Sequence, residues 1–247
     1  MLMVDTSDEE RTAAVLNGEQ KLGERIATAI GTDITSGAIA VGALLPTENV
    51  GVKKYNVSRA TYREAIRTLA SKGLVASRPK TGTRVNPRRN WAIMDPEVIR
   101  WMFSNEPTAA LIQALFELRI VIEPQAAAMA AERRTAEQLL TLGRAFDHMV
   151  TYGYRSAKGQ VADGEFHSAI LEATGNDFLI GMEQSIATAV LMTTKLKVAA
   201  SDTPRDPIPL HLEVYRAIAD RDGERARLAV LTLLEIARED TELLLRR

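Results

Sequence analysis

Asp163 and His167 stand four residues apart in ADGEFHSAILEATGN, and His211 sits near the start of a later stretch, PLHLEVYRAI. Residues four apart on a helix share a face, so this pair can serve one metal ion or one ligand. Taken alone, such a pair is more often a surface ion pair or a partly buried hydrogen bond. A single histidine among apolar residues is likewise more often structural. Arg119, in FELRIVIEP, offers different chemistry. It falls on a stripe with Leu111, Leu115 and Ile122, a poor place for a guanidinium unless an anion meets it. Glu123 or Asp163 can be that anion; so can the carboxylate of a bound acid, held through two parallel hydrogen bonds. A third set is cationic. Arg59, Arg63 and Arg67 repeat at i, i+4 and i+8 and so share one helical face.

These side chains sit in a chain of 247 residues with no cysteine, which excludes a disulfide, a thiolate nucleophile and any thiolate metal site. No apolar run reaches the ~18 residues that span a bilayer. The opening MLMVDTSDEERTAAV carries acids where a signal peptide carries a basic region, so a cytoplasmic protein is expected. Near-zero net charge hides an asymmetry. Residues 1–90 hold 14 Lys and Arg against 9 Asp and Glu, a net of +5, whereas residues 91–247 carry a net of −6. Within 49–90 eleven basic residues face one acid, Glu64. A block of one sign is either a solvated face or the footprint of an anionic partner, and two halves of opposite sign suggest two domains with different roles.

The elements that must position these residues follow from periodicity. In the basic half, Leu22, Ile26, Ile30 and Ile34 form one apolar stripe, predicting a helix over 19–36. GAIAVGALLP breaks it, and Thr47 can cap a second helix. VSRATYREAIRTLASKGL predicts a third, with Ser58 as N-cap, Tyr62, Ala65, Ile66 and Leu69 inward, and Gly73 as its stop. LVASR, PKTG and TRVN then suit a hairpin with Gly82 at its tip. Helix, helix, basic helix and hairpin make a winged helix-turn-helix, whose third helix fits the major groove of double-stranded DNA. In the acidic half, Asp95-Pro96 starts a helix. Amphipathic stretches follow at 108–132, 135–152, 156–174, 177–200, 207–220 and 223–245, so this half reads as all-α.

LLPTE followed by NVSRATYREAIRTLASKGLVASRPKTGTRV resembles the DNA-binding domain of the GntR family of bacterial transcription regulators. The resemblance implies operator DNA as partner. It puts Arg59 and Arg63 at the DNA-reading positions, Gly82 at the wing glycine, and Ser58, Thr61, Lys53, Lys54 and Lys80 on the same surface. One stretch departs: Asn49 stands where the family often has a DNA-contacting arginine, and Gly51 where a leucine anchors the helix.

ELRIVIEPQAAAMAAER, DGEFHSAILEATGN and HLEVYRAIADRDGERARLAV resemble the all-helical effector domain of the FadR subgroup, the FCD domain. Many members hold a divalent metal such as zinc with one aspartate and three histidines, and an acid effector completes the coordination. The resemblance maps Asp163, His167 and His211 onto three of those ligands and Leu233 onto the fourth, so weaker metal binding is expected. The linker NPRRNWAIMDPEVIRWMFSNEP is similar to that of members answering to sugar acids, galactonate among them. That similarity implies a sugar-acid effector contacted by Arg119, Asn176, Arg88, Asp163, His167 and His211, and a homodimeric repressor with no membrane partner. The expected organisation is a DNA-binding domain at 19–86, a linker with a connecting helix at 87–107, and an effector domain at 108–245. A fatty-acyl or amino-acid-derived effector is the alternative within that class. A metal-dependent hydrolase or isomerase built on Asp163, His167 and His211 lacks a nucleophile motif or a separate base.

Overall fold

The computed structural model describes residues 6–200 and 205–245, with side chains described over 20–199 and 205–242. The side chains of the acidic opening stretch, and residues 201–204 of the turn read at SDTPRD, lie outside these bounds. The chain divides between Asn105 and Glu106 into two compact units, each with its own apolar core.

In the first unit α1 (Thr6–Thr35) begins well before the stripe that predicted it, through a run of Ala, Glu and Arg that favours helix by propensity alone. The short α2 (Glu48–Tyr55) and the basic α3 (Arg59–Ser71) follow. Ser58 caps α3, its hydroxyl accepting from the Thr61 amide at 3.1 Å. An antiparallel hairpin comes next, β1 (Val75–Arg78) and β2 (Gly82–Val85), in the register Val75↔Val85 and Arg78↔Gly82. Ile26, Ile30 and Ile34 of α1 close a core with Tyr62, Ala65 and Leu69 of α3 and with Val75 and Val85 of the hairpin.

The departure at Gly51 has a packing explanation. A Cβ there would lie 2.3 Å from the Tyr62 ring, so the ring occupies the space a side chain at 51 would need. Tyr62 is buried, stacks on Tyr55 at 6.2 Å and donates its hydroxyl hydrogen to the Pro46 carbonyl at 2.9 Å. The leucine that the family places on α2 is here replaced from the opposite side, by a large residue of α3.

Of the linker and connecting helix expected over 87–107, residues 87–105 belong to this first unit. Asp95 caps α4 (Pro96–Phe103), accepting from the amides of Glu97 and Val98 at 2.8 and 3.4 Å. Lys72, at the end of α3, pairs with Asp95 at 2.8 Å and Glu97 at 2.6 Å. The Trp91 indole donates to the Asn86 carbonyl at 2.9 Å.

The second unit is a helical bundle: α5 (Ala109–Arg133), α6 (Ala136–Tyr152), α7 (Ala157–Ala173), α8 (Asp177–Ile180), α9 (Glu183–Ala200), α10 (Ile208–Ala219) and α11 (Gly223–Leu245). Its core comes from apolar helix faces, with residues such as Ala126, Ala130, Phe166, Ile170, Val214 and Leu234. Thr135 and Gln138 form the reciprocal capping box that starts α6. The stretch expected as one helix over 177–200 is two, α8 and α9, broken at Gly181, a residue of low helix propensity. Gly164 of α7 lies against α9: a Cβ there would stand 3.1 Å from the Ala187 carbonyl oxygen. That close approach brings the polar face of α9 up to Asp163. No described helix is long and apolar enough to cross a membrane.

Gly51→Leu is expected to destabilise the first unit by about 1–3 kcal/mol through overpacking. Pairing it with Tyr62→Ala should recover part of that loss, and a double-mutant cycle in denaturant measures the coupling. Asp95→Ala removes a cap and an ion pair, and should cost about 1–2 kcal/mol at pH 7, read as faster amide exchange in α4. Burial raises the Asp95 carboxyl, but hydrogen bonds from Lys72 and from the Glu97 amide outweigh it, leaving the carboxyl below its ordinary value. Its ionised form therefore contributes above the unfolded-state value near ~4 and is lost as pH falls through the lower folded value, so wild type and variant should converge in acid.

Candidate functional site

Three cationic residues of the first unit, Arg63, Arg67 and Lys80, line a groove of about 540 Å³ between α3 and the hairpin, with Glu48 and Gly82 also in its wall. Arg59, Arg63 and Arg67 project into solvent, with side chains 69%, 61% and 74% exposed. Lys53, Lys54 and Lys80 are exposed too, while Thr61 is buried against α1 with its hydroxyl at 2.8 Å from that of Ser58. Gly82 and Lys80 both take positive φ at the turn, 81° and 65°. The arginines are pre-set by α2. Glu48 accepts from Arg63 Nε at 2.6 Å and Nη2 at 3.2 Å, and Asn49 accepts from Arg59 at 3.3 Å. The hydrogen bond from Arg63 is the main reason the Glu48 carboxyl lies below its usual range. Sequence reasoning passed over Glu48 and treated Asn49 only as a missing arginine; here both orient cations.

Five helices of the second unit meet at a polar cluster inside the apolar bundle. Asp163 and His167 face inward from α7, 5% and 3% exposed, and His211 from α10, 2% exposed. One ligand atom from each lies within 4.8 Å of the others. Asp163 Oδ1 is 3.1 Å from His211 Nε2 and 3.7 Å from His167 Nε2. Asp163 Oδ2 accepts from Thr194 Oγ1 of α9 at 2.8 Å. Leu233 of α11 lies in the wall of the same cavity.

The outer nitrogens set the tautomers. His211 Nδ1 lies 2.9 Å from the Pro207 carbonyl, which only accepts, so Nδ1 carries the hydrogen and Nε2 offers its lone pair inward. His167 Nδ1 lies 2.5 Å from Glu123 Oε2, off the ring N–H direction. Burial raises the Glu123 carboxyl, but the charges of Arg119 and His167 and their hydrogen bonds bring it down to about 2. An ionised Glu123 only accepts, so in the neutral ring the His167 hydrogen sits on Nδ1 and Nε2 turns its lone pair inward. Burial likewise pushes Asp163 up, and His211, His167 and Thr194 hold it well below the carboxylate range. Asp163 Oδ1 and His211 Nε2 make no hydrogen bond despite their closeness. Three lone-pair donors thus converge on a common point rather than on one another. Either a proton on His211 or a divalent cation satisfies that arrangement, and imidazole plus carboxylate suits zinc or a similar ion. The Asp163, His167 and His211 group can hold a metal, and Glu123 behind His167 is the supporting carboxylate such sites use.

Arg119 lines the cavity, 3% exposed, but its charge is met by Glu123: Nε donates to Oε1 at 2.6 Å and Nη1 to Thr193 Oγ1 at 3.3 Å. Of the two anions open to it from the sequence, besides a ligand, Glu123 is the partner. Asn176 caps α8, accepting from the Phe178 amide at 3.0 Å, and does not line the cavity. Arg88 lies exposed in the 3-10 turn Arg88–Asn90 of the first unit. Sequence reasoning missed Thr193, Thr194 and Lys197, which share one face of α9 by their 3–4 spacing. A buried lysine flanked by threonines is the signal that marks them.

Comparison with known proteins matches these parts in turn. Residues 22–85 match the family "Bacterial regulatory proteins, gntR family", and residues 114–235 match the FCD domain. An uncharacterized HTH-type transcriptional regulator of Escherichia coli K12, YieP, is 31% identical over 90% of this chain and 96% of its own length. The galactonate operon transcriptional repressor of the same organism is 30% identical over 85% of this chain and 93% of its own. A solved Listeria monocytogenes protein, Lar, described as controlling expression of the agr system, superposes with a TM-score of 0.63. It covers 90% of this chain and 96% of its own, at 17% identity, and so speaks to the fold alone. The groove of the first unit and the bundle of the second are each matched, and relatives align almost end to end. The chain therefore belongs to the GntR family of bacterial transcription regulators, with an FCD domain as its second unit, and is a regulator rather than an enzyme.

Proposed function

We propose that this regulator is a repressor that binds operator DNA as a homodimer in the cytoplasm and is released by a small hydroxylated acid of the sugar-acid class. The observation that carries the reading is the buried convergence of Asp163, His167 and His211 in a chain whose other unit carries the arginine-lined groove. The 30% identity to a repressor of a galactonate operon supports the sign of regulation and the effector class.

On the DNA side, Arg63 and Arg59 reach guanine edges or phosphates from α3, while Lys80 and the wing add backbone contacts. Glu48 must release or share Arg63 as it binds, which keeps the guanidinium extended beforehand. One α3 reads only a few base pairs, and pairing two copies on a two-fold site supplies the rest of the affinity.

On the effector side, a divalent ion held by Asp163, His167 and His211 would act as a Lewis-acid anchor for oxygens of the acid. The chain's own residues do the remainder. Glu123 and the Pro207 carbonyl fix the two imidazoles, Thr194 fixes Asp163, and Thr193 and Thr194 offer hydroxyls to a polyol. The cavity measures about 30 Å³, room for an ion and a water but not for a six-carbon acid. Acid binding therefore selects an expanded arrangement, and an acid that prefers that arrangement shifts the population away from DNA-bound protein.

Two measurements test this. Operator affinity should fall steeply with salt, since each phosphate contact releases counterions. Arg63→Ala should cost about 1–3 kcal/mol, and sedimentation should find two chains per operator. Full affinity in the Arg59→Ala, Arg63→Ala double variant would refute the DNA assignment. Zinc should raise the melting temperature of the wild type. His211→Ala should abolish that rise, and Glu123→Gln should weaken zinc binding by about 10–100-fold in a chelator competition. A Zn response unchanged in His211→Ala would remove the metal from the proposal.

A further inference from the structure

The buried charges of the second-unit cavity sum to zero, but one of the cations has no direct ion-pair partner. Three formally charged side chains line it: Arg119, Asp163 and Lys197. Arg119 is neutralised by Glu123 at 2.6 Å. Asp163 accepts from Thr194 through Oδ2, while its Oδ1, facing the two imidazoles, takes no hydrogen bond. Lys197 of α9 is 7% exposed and makes no ion pair with any described residue. Its one specific contact among the described residues is the face of the Tyr154 ring, 5.7 Å from Nζ. Asp240 of α11, whose charge also acts on Lys197, gives Oδ1 to Arg205 at 2.6 Å, and its Oδ2 makes no hydrogen bond. A primary ammonium withdrawn from water without a direct ion-pair partner is costly, and burial lowers its proton affinity, with the charges of Asp163 and Asp240 only partly offsetting this. Lys197 shares the helix face of Thr193 and Thr194 and lines the same cavity as Asp163, His167 and His211.

We infer that Lys197, rather than Arg119, meets the carboxylate of the acid effector. The inference rests on the reading that the cavity takes a small acid. It deepens that reading by naming the group that discriminates acids from their neutral analogues. Arg119 then plays a different part, holding Glu123 and through Glu123 the His167 ring. An entering carboxylate supplies the charge that Lys197 lacks, while hydroxyls of the same ligand reach Thr193, Thr194 and the Asp163 side. A neutral ligand of the same shape leaves the ammonium uncompensated. Selectivity for the ionised acid is therefore built into α9.

The test uses the full chain, with and without added zinc. Binding of glycolate, lactate, gluconate and galactonate is measured by calorimetry, each against its primary amide. Wild type should bind at least one acid about 30-fold more tightly than its amide, which is ~2 kcal/mol at 1.4 kcal/mol per decade. Lys197→Met, which keeps the length of the stem, should bind acid and amide alike while retaining operator binding and the zinc-induced rise in melting temperature. A purely structural Lys197 would lower the melting temperature of the variant and leave the acid-to-amide ratio intact, and that result overturns the assignment alone. If wild type prefers none of the acids to its amide, the acid-effector reading falls and the assignment with it. Should Lys197→Met fail to fold, labelling of wild-type Lys197 by an amine-reactive reagent decides. The preferred acid should protect it and the amide should not; equal protection overturns the assignment.

Discussion

A single carboxylate, Glu123, stands at the centre of the second unit's electrostatics. It is buried, 2% exposed, inside a bundle whose other inward residues are mostly Ala, Leu, Ile and Phe. Alone it would be untenable there, since an ion in so poor a dielectric loses several kcal/mol of hydration. Arg119, one turn earlier on α5, supplies the opposite charge, and His167 on α7 takes the other oxygen. The arrangement ties α5 to α7, sets which nitrogen of His167 faces the cavity, and leaves Asp163 to be met by His211 and Thr194 from α10 and α9. Pro124 follows Glu123 directly and removes one backbone hydrogen bond from α5 at that turn. Removing either partner of such a pair strands a charge, which is why the cluster behaves as one unit rather than as separate ligands.

The first unit solves a related problem at its surface. Long cationic side chains meant for an anionic partner lose affinity if they must be ordered on binding. Glu48 and Asn49 of α2 hold Arg63 and Arg59 extended in the absence of DNA. Both arginines remain exposed, so the contacts exchange readily for phosphates or bases. The same α2 gives up its apolar anchor at Gly51, and the ring of Tyr62 restores the packing from α3. Position 51 and position 62 are thus one structural decision made by two residues.

A bundle with a polar cluster closed to about 30 Å³ and a DNA-reading face with pre-set arginines make a consistent pair. On the proposed reading a ligand acts only by favouring a different arrangement. That reading asks no enzyme chemistry of Asp163, His167 or His211.

Much of this was legible in the order of residues. The 3.6-residue periodicity located nearly every helix, because an amphipathic helix must repeat its apolar face to bury it. The charge block at 49–90 marked the exposed arginines of α3, and the i, i+4 spacing of Asp163 and His167 put both on one side of α7. Arg119 on an apolar stripe announced a buried counter-ion, with Glu123 among the candidates. What periodicity could not supply was the pairing across helices. Whether Arg119 meets Glu123, Asp163 or a ligand depends on the rotation of α5 against α7 and α9. Thr193, Thr194 and Lys197 look like an ordinary polar patch until Gly164 lets α9 close on α7. Asn176 and Arg88 carried the right chemistry but were placed elsewhere, one as a helix cap and one in the first unit. Residue types and spacings on single helices are local quantities, and the sequence determined those. Which lone pairs converge and which charge is left without a partner are set by packing between helices, and only the tertiary structure decided them.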